Sequence, residues 1–150
     1  MSLGVQPVKD DSKLHIRQLP TEHLPRPPMR ALFLANSGGG KTTLIANLLT
    51  RKELYGKPFS AIYVFSPSVH HDGTWNSVKR YVHEELGQKP GEHFSDKWEP
   101  ARIQEIVDMQ FAITKHHKQH GHRRGHSTSI VIDDWADRAD VLHRGMGAVS

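Results

Sequence analysis

Apolar residues along this chain fall into short runs separated by polar and glycine-rich breaks. Arg30 to Ala35 is continuously apolar after its arginine, as expected of a parallel strand buried on both faces. Leu44, Ile45, Leu48 and Leu49 then recur at helical spacing and predict a helix from about Gly40 to Thr50. Ser60 to Phe65 reads as a second strand, closed by Ser66-Pro67. Trp75, Val78, Tyr81 and Val82 share one face of a helix predicted from Thr74 to Leu86, with Gly87 as its C-terminal stop. Residues 87–95 read as loop. Asp96 and Glu99 suit a capping box opening a longer helix through about His120, whose buried side carries Ile103, Ile106, Val107, Gln110 and Ile113. Ser129 to Ile132 forms the third strand and runs into Asp133-Asp134. This alternation of strands and helices predicts an α/β fold with a parallel sheet, without internal repeats.

Ahead of these elements, residues 1–28 contain Pro7, Pro20, Pro25, Pro27 and Pro28 among polar side chains, which predicts an extended lead-in before a core over 29–150. The length of 150 residues suits one domain. No cysteine is present, which excludes a disulfide framework and a cysteine-based zinc site. No apolar run approaches the roughly 20 residues of a membrane span, and the N-terminus lacks a signal-peptide core, so the expectation is a soluble, intracellular protein with no membrane partner. A formal charge of +4 and twelve histidines make the chain mildly basic, a balance that suits nucleotide or nucleic-acid partners without requiring them.

The break between the first strand and first helix reads Ala35-Asn-Ser-Gly-Gly-Gly-Lys-Thr-Thr43, the form of a phosphate-binding loop. Gly38, Gly39 and Gly40 permit backbone N–H groups to approach phosphate oxygens and permit positive φ. Lys41 would reach the β- and γ-phosphates, and Thr42 would offer a hydroxyl to Mg²⁺, with the dipole of the following helix facing the anion. Asn36, Ser37 and Thr43 complete the cradle. Ala35 stands where the strict pattern has glycine. Ile130-Val-Ile-Asp-Asp134 is an apolar strand delivering two carboxylates at its C-terminal edge, where ligands sit in open α/β sheets. Asp133 would hold Mg²⁺ through water, and Asp134 would orient or deprotonate the attacking water. Asp134 is shorter than the glutamate common at such a position.

Three segments, NSGGGKTTLIANLL, AIYVFSPSVHHDGTW and SIVIDDWAD, resemble the poxvirus-type DNA-packaging ATPases of large DNA viruses, within the FtsK/HerA group of ring-forming motors. The middle segment, with Ser66-Pro67, Asp72 and Trp75, is the most discriminating. The resemblance spans roughly residues 26–143. It implies a three-layer P-loop NTPase fold, ATP and Mg²⁺ as cofactors, ATP hydrolysis to ADP and phosphate, double-stranded DNA as partner, and a homo-oligomeric ring in a virion or viral factory. Lys41, Thr42, Asp133 and Asp134 take by resemblance the roles argued above. It also implies a fourth strand between the first and third, carrying a polar sensor, followed by an arginine-containing segment. Only sixteen residues follow Asp134, and Arg138 and Arg144 have no arginine-finger context, so the expectation is a chain truncated after the third strand, with an incomplete sheet and compromised hydrolysis.

Two other readings stay open. One is a non-catalytic nucleotide-binding remnant of such an ATPase. The other is a small-molecule kinase, disfavoured by the Asp133-Asp134 pair. His116, His117, His120, His122 and His126 lie among Lys115, Lys118, Arg123 and Arg124 and read as a solvated loop, a surface touching DNA phosphates, or a metal site built on His116 and His120. Trp75 and Trp135 read as core residues, with Trp135 beside the acidic turn, and the scatter of Trp75, Trp98 and Trp135 argues against a base-stacking platform. Ser127, Thr128 and Ser129 lack a paired base and do not read as nucleophiles.

Overall fold

A computed structural model describes residue 17 and residues 22–135. It is an α/β structure built around a parallel sheet of three strands in the order β2-β1-β3, where β1 is Ala61–Phe65, β2 is Phe94–Ser95 and β3 is Thr128–Ile132. The helices are α1 (Lys41–Thr50), α2 (Trp75–Glu84), the single turn α3 (Pro90–His93) and α4 (Pro100–Gln119).

All five residues of β1 are buried, which is what a continuous apolar run in a central parallel strand requires. Alternate side chains serve opposite layers. Ile62 and Val64 pack with Ile45 and Leu49 of α1 and Trp75, Val78 and Val82 of α2, whereas Ala61, Tyr63 and Phe65 pack against Ile106 of α4. Helices on both faces of the sheet follow from this division. Each fully buried Val or Ile contributes about 1.5–3 kcal/mol. Of the inner side predicted for α4, Ile106 is fully buried and Ile103, Val107, Gln110 and Ile113 are half-buried.

Several expectations need correction. Residues 30–35 are not a strand: they carry no regular structure and do not join the sheet, and Leu32 and Leu34 are 83% and 85% exposed. An apolar run becomes a strand only where a neighbouring strand offers hydrogen bonds, and among the described residues β3 has no partner on its outer side. A cleft of about 390 Å³ separates β3 from residues 27–33. The segment read as loop over 87–95 contains α3 and β2, the latter pairing Val64 with Phe94 in register. The capping box at Asp96 and Glu99 does not form. The helix opens on Pro100, a residue suited to the first helical position, and Glu99 instead accepts the Ser95 hydroxyl at 2.5 Å. The described end of the proline-rich lead-in is anchored, since Pro27 is buried and the Tyr55 hydroxyl donates to the Pro25 carbonyl at 2.7 Å. Residues 1–16 and 18–21 of the lead-in, and Arg138 and Arg144, lie outside the described residues.

Candidate functional site

The glycine-rich loop folds as a turn into α1. Gly39 N–H donates to the Asn36 carbonyl at 2.9 Å, and Gly38 and Gly40 both take φ of 76°, a left-handed conformation natural to glycine. A Cβ at Gly39 would sit 2.9 Å from the Asn36 oxygen, so this position also excludes side chains by contact. Gly40 is the N-cap of α1 and carries no capping side chain. The first-turn N–H groups of α1 therefore have no intrahelical acceptor and face the loop, together with the positive end of the helix dipole. Ala35, Asn36, Ser37 and Thr43 are exposed around this turn, while Lys41 and Thr42 are half-buried beneath it.

The parallel register that pairs Phe65 with Ile132 sets Ser66 beside Asp133 at the C-terminal edge of the sheet. Asp133 N–H donates to the Phe65 carbonyl at 3.0 Å and extends the ladder by one residue. Its carboxylate is buried against the loop. Lys41 Nζ lies 3.2 Å from Asp133 Oδ1 and 2.8 Å from Asp134 Oδ1, so residues more than ninety positions apart converge on one ammonium. The hydrogen bond to Asp134 holds the Lys41 ammonium above the usual lysine range, with Asp133 adding to it and partial desolvation opposing it. Thr42 Oγ1 donates to Asp133 Oδ2 at 3.4 Å and Ser66 Oγ to the same oxygen at 3.5 Å, both at the long limit for hydroxyl donors. Asp133 Oδ1 has the Lys41 charge beside it but receives no hydrogen bond. Asp134 is half exposed and adopts φ of 55°.

Ser66 belongs to this site and was not among the residues predicted for it. It is fully buried, and its hydroxyl also contacts Ser68 Oγ at 3.1 Å. Its position after the second strand is the available signal, because a parallel neighbour in register brings the residue after one strand beside the residue after the other. Trp135, which follows the acidic pair, is buried, with its indole N–H donating to the Phe65 carbonyl at 3.0 Å and its ring 5.6 Å from that of Trp98. Trp75 is fully buried in α2, as its spacing implied.

Comparison with protein-family models, with curated proteins and with solved structures finds no match to this chain.

The fit of a divalent cation can be judged on the donors present. Among the described residues no group of three His, Cys, Asp or Glu side chains is arranged to hold a metal. Mg²⁺ does not require one, since it commonly takes one or two protein oxygens together with substrate phosphates and water. The buried Asp133 carboxylate, with the Thr42 hydroxyl 3.4 Å from Oδ2, is a donor set of that kind, and the Lys41 ammonium 3.2 Å from Oδ1 is the charge that a cation would displace toward phosphate. Among the described residues no helix is long and apolar enough to cross a membrane.

The histidine-rich segment begins in the last turn of α4 and continues as an exposed turn. Gly121, at φ of 65°, ends α4 in a Schellman motif: Gly121 N–H donates to the Lys118 carbonyl at 3.4 Å and His122 N–H to the His117 carbonyl at 3.0 Å. This glycine fixes the turn.

Proposed function

We propose that the chain is an ATP-binding P-loop ATPase, with Lys41 and the loop N–H groups holding the phosphates and Thr42 and Asp133 holding Mg²⁺. The observation that carries this reading is the convergence of Lys41, Thr42, Asp133 and Asp134 from two distant segments onto the C-terminal edge of a parallel sheet. That edge is where open α/β sheets bind ligands. When bound, Mg²⁺ would neutralise phosphate charge. Lys41 would position the γ-phosphate, and the Asp134 carboxylate would accept a proton from the attacking water. The resemblance to genome-packaging motors narrows this to a subunit of a DNA translocase acting in a ring, with double-stranded DNA as the partner.

Titration with a fluorescent ATP analogue and Mg²⁺ tests the binding step. Lys41→Ala should weaken affinity at least about tenfold, since a charge-assisted hydrogen bond is worth about 1.5–3 kcal/mol. Unchanged affinity in the variant, or no binding by the wild type, would overturn the assignment. Phosphate release measured with and without DNA separates the ATPase from a non-catalytic nucleotide binder, which would bind the analogue without turnover.

A further inference from the structure

We propose that the C-terminal turn of α4 and the turn that follows it form a binding surface for the phosphate backbone of nucleic acid, with an affinity that rises as the solution is acidified. Residues 109–132 contain no Asp or Glu, whereas they hold Lys115, Lys118, Arg123 and Arg124 together with His116, His117, His120, His122 and His126. The nearest carboxylates along the chain are therefore Asp108, already engaged by Gln104 at 2.9 Å, and Asp133, engaged by Lys41. Among the described residues none of the four fixed cations takes part in an ion pair.

The surface is organised. The Schellman turn at Gly121 folds His122 back over the helix end, and a hydrogen bond of 3.1 Å between His117 Nδ1 and the Arg124 carbonyl ties the Arg-bearing turn to α4. The rings of His116 and His120 stack at 4.0 Å, and His122 lies 4.9 Å from His117 and 6.4 Å from His116. His120 Nδ1 pairs with the His116 carbonyl at 2.9 Å, so that among the described residues Nε2 of His117 and of His120 has no hydrogen-bond partner.

Crowding opposes positive charge on His116: the charge of His120 above all, then desolvation, with His117 and His122 adding to it, pushes it below the usual histidine range. The facing groups are otherwise cationic or neutral: Lys115 and Lys118 on the helix, Arg123 and Arg124 on the turn, and His126 ahead of β3, itself lowered chiefly by burial. A row of phosphates offsets the crowding penalty by setting negative charge beside the rings. Proton uptake and phosphate binding then reinforce one another. Phe111, 70% exposed one turn before Lys115, and Met109 are the exposed large apolar side chains of α4, fewer than the continuous apolar face by which a surface helix inserts into lipid, so a membrane fits less well. The planar guanidinium groups of Arg123 and Arg124 suit phosphate recognition.

The test is fluorescence anisotropy of a short labelled DNA duplex, without nucleotide and in a Lys41→Ala background, so that its outcome is independent of the phosphate-loop reading. Affinity should tighten by about tenfold at 0.1 M salt for each imidazolium that gains a phosphate between about pH 7.5 and pH 5.5. Replacing His116, His120 and His122 together by Gln, with His117 kept because it holds the Arg124 turn, should abolish most of that pH dependence. Replacing Arg123 and Arg124 by Ser should lower the slope of log affinity against log salt by about 2 at either pH. Absence of binding at low salt and acid pH, or a pH dependence unchanged in the histidine variant, would overturn the proposal. Tighter binding to phosphatidylserine vesicles than to DNA would overturn the choice of partner.

Discussion

At the scale of single residues, Lys41 is contested. Its ammonium now serves Asp134 at 2.8 Å and Asp133 at 3.2 Å, and any phosphate would compete for it. Removing the charge of Asp134 should release it. Asp134→Asn is the informative change, because Asn tolerates the left-handed φ of 55° as Asp does, whereas other side chains would strain there. Under the proposed function this variant binds an ATP analogue more tightly, by up to about fivefold, the modest limit set by a half-exposed ion pair. It also loses turnover by roughly 10²–10⁴-fold, as expected when a general base is removed. Titration and phosphate release measure the two effects separately, and turnover at the wild-type rate would remove Asp134 from the chemistry.

At the scale of elements, Gln110 clips α4 to the start of β3. Its amide donates to the His126 carbonyl at 2.7 Å, and its oxygen accepts the Thr128 hydroxyl at 2.7 Å and faces His126 Nδ1 at 2.9 Å. Burial, with the charge of His117 adding to it, lowers the His126 pKa from its ordinary value. The unfolded chain therefore takes up this proton more readily. The stability linked to neutral His126 is present above about pH 6.5 and is lost as pH falls through the lowered value. Denaturant midpoints should fall below about pH 6 in the wild type and fall less in His126→Gln; equal slopes would show that His126 does not carry the effect. Gln110 was legible in the sequence as an inner-face residue, because helical spacing fixes the face, but its partners were not, since the loop before β3 sets them. The same division holds elsewhere. β1, α1, α2, α4, β3 and the two site segments follow from periodicity and glycine chemistry. β2 and α3 were missed because two strand residues and one helical turn are too short to carry a period. Residues 30–35 show the converse, a sound strand pattern without a partner strand.

At the scale of the whole molecule, the consequence of that unpaired run is exposed apolar surface. Leu32 and Leu34 are 83% and 85% exposed, and Ile132 at the end of β3 is 51% exposed across the cleft. An open strand edge beside apolar side chains is a template for pairing with another chain. The described fold should therefore bind a hydrophobic dye and self-associate in a concentration-dependent way, as read by scattering or sedimentation. Leu32→Ser with Leu34→Ser should reduce both signals. Because these side chains bury little, the double variant should change unfolding free energy by no more than about 0.5 kcal/mol per site, the ordinary range for surface substitutions. Ile106→Ala, in the core under α4, should by contrast cost about 2–5 kcal/mol. The pair of measurements discriminates between two arrangements in solution. If the Leu32 and Leu34 variant were destabilised as strongly as the core variant, the run would be packed in a sheet rather than exposed. Unchanged stability with loss of association would establish this edge as the surface through which copies of the chain meet.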